Sequence, residues 1–128
     1  MGYCMNQVDS HFVIKSENKV KALEAIKALG KKRDSYSWVT SANFVDANTL
    51  QEAMTEWRWN IQEDKDGNVS EIEFNGEKSG DDETLFQAIA PFVEDGCFIE
   101  MRGEDGAMWR WCFSDGAVEE KYARVEWD

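Results

Sequence analysis

One proline, one histidine and three cysteines are all that this 128-residue chain holds of three residue types that often announce a function. A single histidine, His11, excludes metal sites and catalytic pairs that need two imidazoles. A cysteine–histidine nucleophile would have to bring Cys4, Cys97 or Cys112 to His11 beside an orienting carboxylate, and no local signature supports it. The cysteines are odd in number, widely spaced and form no CxxC, which reads as free thiols in a reducing cytoplasm. No apolar run approaches the ~20 residues needed to span a bilayer. The opening MGYCMNQVDSHF lacks the charged-then-apolar pattern of a signal peptide. Asn6 stands where the myristoylation pattern after Gly2 wants Ser or Thr. Glycine-rich phosphate loop, nucleophile elbow and basic-aromatic nucleic-acid motif are all missing. Enzymatic activity has no positive support, and no cofactor is implied. Asp64-Lys65-Asp66-Gly67-Asn68 faintly resembles a calcium loop, but its glycine is misplaced and the twelve-residue spacing fails, so a hairpin turn is expected.

Basic charge is also scarce, and unevenly so. Net charge is −12. Residues 1–64 hold eight Lys/Arg against nine Asp/Glu, whereas residues 65–128 hold six against seventeen. The stretch Lys15 to Arg33 is an exception, with seven basic residues against Glu17 and Glu24. An acidic surface repels nucleic acid and speeds association with basic partners. Acidity that serves only solubility is the bland reading.

Aromatic mass, by contrast, is plentiful: six Trp, seven Phe and three Tyr within a 42% hydrophobic composition. At this length folding buries roughly two thirds of the extended chain's surface, so a single α+β domain over 1–128 is expected. Ser-His-Phe-Val-Ile at 10–14 reads as a strand. Ser16 then caps a helix with Val20, Leu23, Ile26 and Leu29 as its apolar stripe and Gly30 at its end. Tyr36-Ser-Trp-Val39 alternates as a short strand or extended segment. Asn48 and Gln51 suggest a capping box, ahead of a helix burying Leu50, Ala53, Met54 and Trp57. Five Asx-Gly pairs punctuate the second half (Asp66-Gly67, Asn75-Gly76, Asp95-Gly96, Asp105-Gly106, Asp115-Gly116), because such pairs tolerate the positive φ of tight turns. They delimit strands near 58–64, 69–75, 97–103, 107–114 and 117–127. One helix interrupts them, capped by Asp81 with Asp82 and Glu83 at its positive end, and Pro91 is expected to kink or end it.

The triplet Trp-Arg-Trp occurs twice, with different expected settings. Trp57-Arg58-Trp59 spans a helix-to-strand junction. Trp109-Arg110-Trp111 lies in a strand, so both indoles and Phe113 share one face. Arg110 lies on the other, within reach of Glu100, Glu119 or Glu120.

The opening Met1-Gly2-Tyr3, the Trp-Arg-Trp after a helix, IEFNGEKSGDDETLF and IEMRGEDGAMWRWCF resemble a family of small, functionally uncharacterised acidic proteins of bacteria, phages and mobile elements. The resemblance implies a self-contained cytosolic protein of the kind that binds a host or competitor protein, and it transfers no catalytic or binding residue. The expected architecture is three helices on a mainly antiparallel sheet of five or six strands, with a C-terminal meander. The expected function is a non-enzymatic inhibitor of a basic or nucleic-acid-binding host protein, of anti-CRISPR or anti-restriction type. Its partner surface would be built from Asp81, Asp82, Glu83, Glu104, Asp105, Glu119 and Glu120. No direct contact with nucleic acid or membrane is expected. Two alternatives stand beside it: an immunity protein that neutralises a toxin, and a small-molecule binder with a Trp-lined pocket.

Overall fold

Residues 2–123 are described by the structure, a computed structural model. The chain opens with β1 (Met5–His11), whose Met-Asn-Gln-Val-Asp-Ser-His sequence has little strand character of its own. Pairing with a later strand holds it extended, so the strand lies upstream of the expected 10–14. Phe12 and Ile14, which suggested that strand, are core residues just beyond it.

A 3-10 turn over Ser16–Asn18 leads into α1 (Lys19–Lys32). Ser16 does not cap the helix; its backbone N–H donates to Asn68 Oδ1 at 2.8 Å. Ala22, Leu23, Ile26 and Leu29 form the buried stripe, while Val20 is 68% exposed one turn too early. Gly30 does not end the helix. A Cβ there would sit 3.1 Å from Val45 Cβ, so the glycine admits the following loop to close contact.

Tyr36-Ser-Trp-Val39 is not one strand but a miniature hairpin of β2 (Ser35–Tyr36) and β3 (Val39–Thr40), with Ser37-Trp38 at its corner. Trp38 adopts a positive φ of 69° and donates its indole N–H to Ser79 O at 2.9 Å. Next, α2 (Leu50–Glu56) is capped one residue later than expected. Thr49 Oγ1 accepts from Glu52 N at 3.1 Å, and Glu52 accepts in turn from Asn48 N. Leu50, Ala53, Met54 and Trp57 are buried, as the periodicity required.

The second half follows its turn signals closely. β4 (Trp59–Glu63) and β5 (Val69–Phe74) form a hairpin. Asp64 organises its turn: Oδ1 accepts from the N–H groups of Asp66 and Asn68 at 2.9 and 3.0 Å. Then come α3 (Asp82–Ile89), a 3-10 turn through Pro91, and the meander β6 (Phe98–Gly103), β7 (Met108–Ser114) and β8 (Ala117–Tyr122). Asp115 and Gly116 both take positive φ, 52° and 76°, matching the twist of a two-residue hairpin. The far end of the 117–127 strand reading lies outside the described residues.

The main sheet is antiparallel, in the order β1-β6-β7-β8. The β4–β5 hairpin flanks it across a seam between β5 and β1. Isolated bridges close the seam at Ile14–Val69 and Cys4–Lys78. Between them the strands part, and the Gln7 side chain stands in for a peptide group. Its Nε2 donates to Ile72 O at 2.8 Å and its Oε1 accepts from Phe74 N at 2.6 Å. Six strands thus lie side by side, but not as one continuous ladder. Phe12, Trp57, Trp59, Phe86, Phe113 and their neighbours fill a single core cluster.

Candidate functional site: an acidic cleft with aromatic walls

Three elements build the site: the start of α3, the β6–β7 turn, and the edge strand β8. At the first, the run Asp81-Asp82-Glu83 divides three ways. Asp82, expected on the surface, is only 2% exposed. One carboxylate oxygen accepts from the Trp59 indole N–H at 2.9 Å and lies 3.4 Å from Arg58 Nη2; the other accepts from Gly80 N at 2.9 Å. Arg58, in the left-handed region at φ 70°, also donates from Nη1 to Lys78 O at 2.5 Å. The first Trp-Arg-Trp is therefore the expected junction, and its last two residues secure the start of α3. The exposure expected of Asp82 fails because its carboxylate completes a buried polar set. Asp81 does not cap α3 through its side chain; it accepts from Ser37 N at 2.9 Å. Glu83 is exposed.

In the second Trp-Arg-Trp, Trp109, Trp111 and Phe113 are buried on one face of β7. Arg110 is on the other, bonded to Glu100 at 2.7 Å and stacked 4.4 Å from the Phe98 ring centroid. Cross-strand register then sorts β8. Trp109 faces Tyr122 and Trp111 faces Glu120, and directly opposed residues share a face. Glu119 pairs with Cys112 on the far side, so Glu119 and Glu120 do not belong to one surface.

The rings form a connected wall. Tyr3 and Tyr122 flank Trp109 at 6.3 and 6.2 Å, and Trp111 meets Trp109 edge-on at 5.9 Å. Tyr3 is held by its hydroxyl, which donates to Asp105 Oδ1. Glu104 accepts from Cys4 N at 2.7 Å, clamping the N-terminal segment across the turn. The cleft measures about 350 Å³ and carries Asp82, Glu83, Asp105 and Glu120 among Tyr3, Trp109, Trp111 and Tyr122. Four of the seven expected residues thus meet in one place. Glu104 is adjacent in sequence, whereas Asp81 and Glu119 are not part of the lining. Tyr3 and Tyr122 were not expected there, since only long-range pairing brings them in.

Among the described residues, charge in the cleft is poorly compensated. The ion pairs among the described residues are Lys19–Glu63, Arg58–Asp82 and Arg110–Glu100. Glu83, Asp105 and Glu120 belong to none of them. Among the described residues, no three His, Cys, Asp or Glu side chains converge as metal ligands.

The Tyr3 phenol, assisted by the Ala107 N–H, holds the Asp105 carboxyl below its ordinary range. The same bond pushes Tyr3 up to about 12. The latch is therefore complete above the usual carboxylate range. It is lost as pH falls through the lowered Asp105 value, or as pH rises through about 12. Tyr3→Phe should raise the Asp105 pKa toward normal, with the Ala107 N–H preserving part of the shift. Carboxyl carbon titration by NMR reads this directly, and an unmoved Asp105 would disprove the latch.

Comparison of the chain with protein-family models, curated proteins and solved structures finds no match. Among the described residues, no helix is long and apolar enough to cross a membrane.

Proposed function

We propose that this protein is a non-enzymatic binding module that engages a basic protein partner through the acidic cleft and its rim. The observation that carries this reading is the convergence of Glu83, Asp105 and Glu120 on one concave, aromatic-walled site, with no cation among the described residues in ion-pair range of any of them. Carboxylates held together without counter-charges repel one another, and a basic surface docking there relieves that repulsion. Blocking a phosphate-binding surface of a host protein, as an anti-CRISPR or anti-restriction protein does, or neutralising a basic toxin, makes the same demand on the site. The three free thiols fit action in a reducing cytoplasm.

A small-molecule occupant is the second reading, favoured by the indoles of Trp109 and Trp111 in the cleft wall. Stoichiometric capture of a macromolecule from host lysate, followed by stopped-flow association with the purified partner, separates the two. On the first reading, the association rate falls steeply with salt, since exposed charges are screened beyond roughly 8–10 Å at physiological ionic strength. Charge reversal at Glu104 and Asp105 together should slow association more than it speeds dissociation. Rates indifferent to both salt and charge reversal would leave the acidity as a solubility feature.

A further inference from the structure

The cleft's chemistry is more specific than negative charge, and this inference rests on the binding-module reading above. Its walls are aromatic: Trp109 and Tyr122 lie at 6.2 Å and 37°, Tyr3 and Trp109 at 6.3 Å and 42°. Its rim carries the carboxylates of Glu83, Asp105 and Glu120. Asp105 and Glu120 are each positioned by a phenol, since Tyr122 Oη donates to Glu120 Oε1 at 3.1 Å as Tyr3 does to Asp105. The cleft wall also holds two unmet donors. The indole N–H groups of Trp109 and Trp111, on residues more than nine-tenths buried that line the cleft, have no acceptor among the described residues.

We infer that the cleft receives one arginine side chain of the partner as the anchor of the interface. Guanidinium suits both parts of the site. Its plane is weakly hydrated and stacks on indole and phenol faces, and its five N–H donors in a fixed fork match spaced carboxylates. A lysine ammonium gives up more hydration and offers a point charge in place of the fork. A quaternary ammonium would leave the rim acceptors without donors. Tyr122, 61% exposed at the sheet edge, is the ring most open to the incoming side chain.

The test uses the intact protein and three blocked heptapeptides, Gly-Ser-Gly-X-Gly-Ser-Gly, with X as arginine, lysine or citrulline. Assigned indole N–H signals are followed by NMR. The arginine peptide should shift the Trp109 and Trp111 signals saturably, the lysine peptide should bind several-fold more weakly, and neutral citrulline should not bind. Glu120→Gln should weaken the arginine peptide roughly tenfold, as expected for losing a charge-assisted contact. Tyr122→Ala, at an exposed position, should weaken it while the remaining amide spectrum stays folded. Equal binding of lysine and arginine would overturn the inference, as would saturable shifts confined to residues outside the cleft. Poly-lysine separates the two levels of the argument. If it binds in a salt-dependent manner while the arginine peptide does not, the arginine anchor falls and the basic-partner reading stands. If neither binds, both fall.

Discussion

Trp111→Ala should lower the free energy of unfolding by about 3–5 kcal/mol, the range for deleting a large buried aromatic. Trp111 is 4% exposed and packs against Phe86 at 4.9 Å, Trp109 at 5.9 Å and Trp59 at 6.1 Å. Phe86 is fixed on α3 and Trp59 begins β4, so this one side chain joins the main sheet to a helix and to the neighbouring hairpin. Such a site collapses poorly around a cavity, because each wall belongs to a different element. Urea denaturation gives the value, and an unchanged midpoint would contradict the packing described.

Asp82→Ala should cost a comparable amount, about 3–5 kcal/mol, for a different reason. Removing one partner of a buried pair leaves the other charge without compensation. Here the loss would strand the Arg58 guanidinium, the Trp59 indole N–H and the Gly80 N–H together. Asp82→Asn keeps an acceptor for some of these donors and should be milder. Equal stability of the alanine variant and wild type would mean that Asp82 is not a structural carboxylate. It would then return to the set of free acidic groups in the cleft.

Legibility in the sequence followed the range of the signal. Asx-Gly pairs act over two residues, and they placed β4 through β7, and the start of β8, to within about a residue of their limits. The alternation of Trp109, Arg110 and Trp111 needs only a strand, and the faces came out as expected. Gly30 misled because a glycine ends a helix or admits a close neighbour, and only the approach of Val45 distinguishes these. β1 was hidden for a related reason, since its polar sequence is extended through pairing with β6 and not through its own pattern. Asp82 looked like a helix-start carboxylate until Arg58 and Trp59 arrived from the other side of the fold.

The site was half visible. Its acidic residues were named, but the separation of Glu119 from Glu120 follows from register. A two-residue turn at Asp115-Gly116 pairs Ser114 with Ala117, hence Trp111 with Glu120 and Trp109 with Tyr122. That deduction was available from the chain alone. The recruitment of Tyr3, whose partner Asp105 lies 102 residues away, was not.

The most direct test of the central claim is an amide hydrogen-exchange footprint of the protein with and without its bound partner. Protection should appear at the first turn of α3, the Glu104–Ala107 turn and β8, around Glu83, Asp105, Glu120 and Tyr122. A footprint on the opposite sheet face around Arg110, or along the basic helix α1, with these segments unchanged, would contradict it.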